Sequence, residues 1–282
     1  MNASATAIDS RPAGARGRVT PAAGRLTQTR VLRSEWTKLY SLRSTRYSLL
    51  ATAVMTIGFG LVASAATVSR WASTSAADKA SFDPLSTSLL GVRFGVLAIG
   101  VLGVLLITGE YTTGMIRATM TAVPRRLPVL WGKTAAYAAV ALAITVPAVM
   151  IAFFAGQAIL SGQHIQIAFS HAGVVQAVLG AAGYLTLVGM FAMGLGAILR
   201  NTAAGIASFA GIMFVVPPLI GILPASISDS VTPYLPSNAG EAMMTIGHHA
   251  HALSPGAGLA VFAGYVAVVI AVAGVLLVRR DV

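Results

Sequence analysis

Residues 133–200 read KTAAYAAVALAITVPAVMIAFFAGQAILSGQHIQIAFSHAGVVQAVLGAAGYLTLVGMFAMGLGAILR. Lys133 and Arg200 enclose 66 residues without one Asp, Glu, Lys or Arg. A helix that crosses a bilayer needs about 20 mostly apolar residues, at a rise of roughly 1.5 Å each over a core about 30 Å thick. The stretch therefore holds two crossings and a connection, and the connection is marked by Gln157, Gln163, His164, Gln166 and His171. Membrane β-strands would be about ten residues long and would alternate in polarity. These runs are continuous, so helices are the reading.

The same test applied outward finds Arg46–Arg70 enclosing 23 uncharged residues, Arg200–Asp229 enclosing 28 and Glu241–Arg279 enclosing 37. A further run from Leu89 to Thr108 is broken only by Arg93. The chain reads as an all-α integral membrane protein with six transmembrane helices, at about 47–68, 89–108, 134–155, 173–199, 203–223 and 256–278. Composition agrees. Charged residues make up 10% of the 282 positions, against roughly 25% in a soluble domain. There is no cysteine, which excludes disulfide scaffolds and thiolate metal or catalytic sites.

The net charge of +11 does not point to nucleic acid. A nucleic-acid face spreads basic residues over a folded polar surface. Here nine of the 19 lie in residues 1–46, and most of the others sit at the ends of apolar runs. Six spans put both termini on one side. That side would carry 16 Lys and Arg, while Arg70 and Lys79 fall on the other and Arg93 lies within a span. The positive-inside rule then predicts cytoplasmic N- and C-termini. No cleavable signal peptide is expected, because the first apolar run starts only at Tyr47 and is long enough to span. Residues 1–26 predict a disordered basic tail. Residues 27–46 predict an amphipathic helix along the interface, with Leu32, Trp36, Leu39 and Tyr40 at helical spacing among Arg and Lys. The remainder, 47–282, reads as one membrane domain with no soluble domain on either side. In the outer segment 224–255, Asn238 followed by Glu241 predicts a short helix over 239–247.

Few residues could carry chemistry. Gly132-Lys133-Thr134 matches the end of a phosphate-binding loop, but Leu127 stands where that pattern needs its first glycine. His248, His249 and His251 cluster without a carboxylate at ligand spacing. Ser208 has no histidine at depth to activate it. The chain thus reads as neither an enzyme nor the holder of a cofactor or metal. Arg93 is the one charge well inside a span, about one turn from its end. It either reaches water along its stem or serves a pathway or subunit interface. Gly91 and Gly95 flank it at a spacing that allows close helix approach. Pro147, Pro217 and Pro218 interrupt spans and are hinge candidates.

Segment 109–126 carries the most information. Glu110 stands at a membrane boundary, and Pro124-Arg125-Arg126 closes the turn. On one continuous helix Glu110 and Arg117 would share a face, with Gly114 leaving room between them. Such a structured basic turn suits the docking of a cytoplasmic partner.

At these residues the sequence resembles the permease subunits of type-2 ATP-binding-cassette exporters, in the form common in actinobacteria. Arg33-Ser34-Glu35-Trp36-Thr37-Lys38-Leu39 resembles the interfacial helix before the first span. Gly109-Glu110-Tyr111-Thr112-Thr113-Gly114-Met115-Ile116-Arg117 resembles the segment after the second, and is the most specific match. Tyr234-Leu235-Pro236-Ser237-Asn238-Ala239-Gly240 resembles the outer segment before the last span, and Arg279-Arg280-Asp281-Val282 the C-terminus. The resemblance runs from about residue 30 to the end. It implies a bacterial cell-membrane protein that works with two copies of a separate ATPase subunit and a second permease chain, identical or not. It also implies that Glu110, Tyr111, Gly114 and Arg117 couple to the ATPase, that Glu35, Trp36 and Lys38 lie on a connector helix, and that this chain hydrolyses no ATP. The competing readings are a self-contained transporter or channel, and a membrane anchor or assembly protein.

The cysteine-free background makes topology directly testable. With single cysteines introduced at residue 30 and at residue 165, an impermeant maleimide applied to intact cells is expected to label only the second. Labelling at residue 30 would reverse the orientation.

Overall fold

The computed structural model describes residues 43–114, 126–247 and 252–279, and every regular element among them is helical. Six helical spans are long and apolar enough to cross a membrane, so the chain is a multi-pass membrane protein. α1 runs Arg43–Arg70. Two short helices, α2 (Ala76–Ala80) and α3 (Pro84–Ser88), lead to α4, Gly91–Thr112. α5 is Arg126–Leu160 and α6 is Val174–Leu199. The fifth span is broken into α7 (Thr202–Ala210), a π turn (Gly211–Val215) and α8 (Val216–Gly221). Then come α9 (Ala225–Val231), α10 (Pro236–Ala242) and the last span, α11, Pro255–Arg279.

The predicted spans and the observed helices coincide to within a few residues at most ends. The largest difference is α5. Its 35 residues make a rod of about 50 Å, longer than a bilayer core. One end of the bundle carries the starts of α1 and α5, the α6–α7 hairpin and the end of α11, and with them Arg46, Lys133, Arg200 and Arg279. It is the basic end. The far end carries α2, α3, α9 and α10.

α4 and α6 form the centre. In each, 67% of the apolar window is buried, against 17–33% in the other four spans. Lipid tails are as apolar as leucine, so helices associate in a membrane by close packing and hydrogen bonds rather than by escape from solvent. The α4–α6 crossing is close because it is made of glycine: a Cβ on Gly103 would collide with the carbonyl oxygen of Gly189. The Gly91/Gly95 pair serves α1, where added Cβ atoms would meet the Thr56 backbone and hydroxyl. Hydrogen bonds then tie the layers. Tyr137 Oη on α5 donates to the Ile99 carbonyl on α4 at 3.2 Å, and Thr145 Oγ1 donates to the Ala182 carbonyl on α6 at 3.3 Å.

The structure corrects several expectations. Gln157 is part of α5 and is buried. Its Nε2 donates to the Pro84 carbonyl and to Ser88 Oγ, and its Oε1 accepts from Ile167 N–H. The helix expected over 239–247 starts at Pro236 and ends at Ala242. Proline supplies the fixed φ of a first helical residue and outcompetes Asn238 as the start signal. Asn238 Oδ1 accepts from Ser237 Oγ instead. Pro147 sits inside an unbroken α5. Pro217 and Pro218 follow the π turn after one intervening residue, Val216. Neither can donate to a carbonyl one turn back, and the wider turn ahead of them takes up the displaced backbone.

A leucine at Gly103 must push α6 away, and the obstacle is backbone. Gly103→Leu is expected to cost about 3 kcal/mol or more and to lose the monodisperse peak in detergent gel filtration. Gly264→Leu, where the new side chain enters open space, is expected to elute as the unaltered protein does.

Candidate functional site: the polar clasp at the basic end

Near the end of α4, Thr108, Glu110 and Tyr111 face different ways. With about 100° of turn per residue, Thr108 and Tyr111 lie on neighbouring flanks of the helix and Glu110 lies well around from Thr108. Glu110 turns to α5, where Lys133 Nζ meets Glu110 Oε1 at 2.6 Å. Glu110 is 9% exposed and Lys133 is 4% exposed. Tyr111 turns to the α6–α7 hairpin, where the Arg200 guanidinium lies 5.2 Å from the ring centre. Thr108 Oγ1 accepts from Thr202 Oγ1 at 2.9 Å across the same gap. Arg200 Nη2 reaches the Leu276 carbonyl of α11 at 3.5 Å. One charged and aromatic clasp therefore joins α4, α5, the α6–α7 hairpin and α11.

Local sequence explains each position. Arg200 takes a left-handed backbone, φ +53°, as the residue that ends α6, and Asn201 Oδ1 then caps α7 by accepting from Ala204 N–H. The hairpin is as tight as Arg200-Asn201-Thr202 predicts. On α4, Thr112 and Thr113 both donate to the Gly109 carbonyl, and Gly114 follows with φ +70°. That is a glycine stop, a backbone conformation with little cost only for a residue without Cβ.

The helix therefore ends at Thr112, and Gly114 turns the chain just beyond it. Arg117 lies outside the described residues, as do Glu35, Trp36 and Lys38, the expected tail and the expected interfacial helix up to residue 42; residues 43–46 form the start of α1. His248, His249 and His251 also lie outside them. Lys133, read as the end of a phosphate-loop match, is inside a helix beside a carboxylate, and Thr134 Oγ1 donates to the Leu130 carbonyl. The backbone donors that a phosphate loop would offer are consumed by the helix, which excludes that reading here.

Arg93 lies at the far end, in the first turn of α4. Its Nη2 donates to Glu241 Oε2 of α10 at 2.9 Å, with side-chain exposures of 59% and 37%. Cavities of about 330 and 410 Å³ flank this pair, one toward α1 and α3, the other toward Tyr184 and the π turn. The sequence marks Arg93 and Glu110 as unusual but pairs neither with the residue it meets, Glu241 and Lys133. A usable signal existed for Lys133. Glu110 and Lys133 stand at the same ends of consecutive antiparallel spans, so residues of equal depth meet. No such signal existed for Glu241, whose depth is set by the folding of the outer segment.

No protein-family model matches the sequence, and comparisons with curated proteins and with solved structures find no match.

The two ion pairs should respond differently to truncation. Removing one partner of a buried pair strands the other charge, at about 3–5 kcal/mol. Glu110→Ala and Lys133→Ala are each expected to lower the melting temperature in detergent markedly, while Glu110→Leu/Lys133→Met together stay near the parent protein. Arg93→Ala, in an exposed pair, is expected to cost no more than about 1 kcal/mol. Equal losses at Glu110 and Arg93 would contradict this assignment.

Proposed function

We propose that this chain is the permease subunit of an ATP-binding-cassette exporter in a bacterial cell membrane. Its basic end faces the cytoplasm, where 16 of the 19 Lys and Arg would then lie. The observation that carries the reading is the Glu110–Lys133 contact. It holds the two helices on either side of residues 113–125 in one rigid unit, and those residues belong to the segment whose sequence resembles the family's coupling turn. A force applied to this turn by a separate ATPase cannot be absorbed by sliding α4 past α5, because that would separate a buried ion pair. It passes on as movement of both helices together. Tyr111, Arg200 and the Leu276 carbonyl carry it to the remaining spans of the basic end.

Glu110 is a positioning residue in this scheme, and Gly114 releases the chain from α4 so that residues such as Arg117 can meet the partner. The charged side chains of the described spans lie at the span ends, which suits a conduit driven from outside the membrane better than a carrier that binds its coupling ion at mid-depth. The second permease chain would cover exposed faces such as that of α1, with Leu50, Val54 and Val62, or that of the fifth span, with Val215 and Leu219.

The tagged chain is expected to co-purify with an ATPase, and transport is expected to stop when that ATPase cannot hydrolyse ATP. Arg117→Ala is expected to insert normally while losing most transport-coupled hydrolysis. Transport by the purified chain alone, driven by an ion gradient in liposomes, would replace this reading with a self-contained transporter.

A further inference from the structure

At the far end, two chambers meet at one ion pair, and Arg93 and Glu241 line both. The first chamber, about 330 Å³, is polar: Asp83 stands in it with Thr67, Ser86 and Thr245. The second, about 410 Å³, is mostly apolar and holds three aromatic rings, Phe94 of α4, Tyr184 of α6 and Phe214 of the π turn. Each ring is backed by another. Phe94 stacks on Phe59 with 3.8 Å between ring centres, Tyr184 meets Phe262 edge-on at 5.7 Å, and Phe214 meets Phe209 edge-on at 6.4 Å. Rings held from behind lose little further freedom when a ligand arrives. Phe94 and Phe214 are exposed, so the chamber opens at the bundle surface.

Together the two chambers are lined by two carboxylates and one guanidinium. Arg93 pairs with Glu241. Asp83 lines the polar chamber but not the aromatic one. Its Oδ1 accepts from Leu85 N–H, and it has no ion-pair partner among the described residues.

We propose that the aromatic chamber binds a lipophilic organic cation, and that Arg93 admits it by exchanging Glu241 for Asp83. The positive centre of the ligand takes the Glu241 carboxylate and the ring faces, which attract a cation through their quadrupoles. Its apolar body fills the space beside Met213. The guanidinium turns into the polar chamber and meets Asp83, so every charge stays paired. An exposed pair such as Arg93–Glu241 is worth no more than about 1 kcal/mol, so the exchange meets little resistance. An anion has no such arrangement. It would have to take Arg93 and leave both carboxylates unpaired, beside rings whose faces repel it. A neutral body of the same shape gains apolar contact but cannot detach Arg93. The site belongs to this chain alone and holds whether an ATPase or another force drives it.

The test uses the full chain, purified in detergent without an ATPase, at about 0.15 M salt, where exposed charges more than about 8 Å apart are largely screened. Tritiated tetraphenylphosphonium is the probe, read by scintillation proximity. Saturable binding is expected, with far weaker competition from triphenylphosphine oxide, a neutral body of similar shape. Glu241→Gln is expected to weaken binding about tenfold and Phe94→Leu about fivefold. Arg93→Gln, which frees Glu241, is expected to tighten it about threefold. Asp83→Asn is expected to weaken binding about threefold in the parent chain, because Arg93 then has no second partner, and to have no effect in the Arg93→Gln background. Each variant is compared at matched monodispersity. Absence of saturable binding overturns the proposal, as does equal competition by the neutral compound, or binding unchanged in both Glu241→Gln and Phe94→Leu. Weaker binding in Arg93→Gln, or an Asp83→Asn loss that persists in that background, overturns the exchange.

Discussion

Lys133 and Glu110 meet where neither is well solvated, and the architecture of the basic end follows from that contact. A buried ammonium or carboxylate alone would be destabilised by several kcal/mol, so each makes the other's depth and rotation obligatory. The contact sets the register of α4 against α5. It leaves Thr108 and Tyr111 on the flank that faces the α6–α7 hairpin, and Arg200 joins from there. Apolar packing alone would allow α4 and α5 to slide, because one leucine contact in a membrane resembles the next. A single pair of opposite charges does not have equivalent alternatives one turn away.

The centre of the bundle is specified by a different kind of constraint. Gly103 lets the α4 backbone approach the Gly189 carbonyl of α6, and Gly189 leaves room for the Tyr137 hydroxyl, which reaches the Ile99 carbonyl. Interhelical hydrogen bonds in membranes contribute about 0.6 kcal/mol each on average. Tyr137 and Thr145 therefore orient the helices more than they hold them together. Cohesion comes from the length of close contact along α4 and α6. The far end is looser. Its ion pair, Arg93–Glu241, is exposed and lies between two cavities, and the fifth span is interrupted there by a π turn and two prolines.

The basic residues serve more than topology. Arg200 is counted by the positive-inside rule as one charge on one side, yet it stacks over Tyr111 and reaches α11. Arg279 is counted the same way, yet it stands at the mouth of an apolar groove. A charge that fixes orientation during insertion remains available for contacts in the folded state, and the two uses do not compete.

The sequence by itself determined the number, order and approximate limits of the six spans, because long runs without charge have no other stable environment. It also determined the hairpin at Arg200-Asn201-Thr202, since so short a connection permits only antiparallel neighbours. It marked Glu110 and Arg93 as unusual, because charges near apolar runs are costly. The tertiary structure alone decided what those charges meet. Lys133 was legible as a residue of matching depth, but Glu241 was not, because its position depends on how α9 and α10 fold back over the far end. The end of α4 at Gly114 was also hidden. A glycine at that spacing fits a helix interior and a helix stop equally well, and the left-handed backbone that Gly114 adopts decides between them. Spans are set by the free energy of single segments in lipid, which composition reports. Partnerships are set by the rotation and depth of one helix against another, which depend on all the contacts at once.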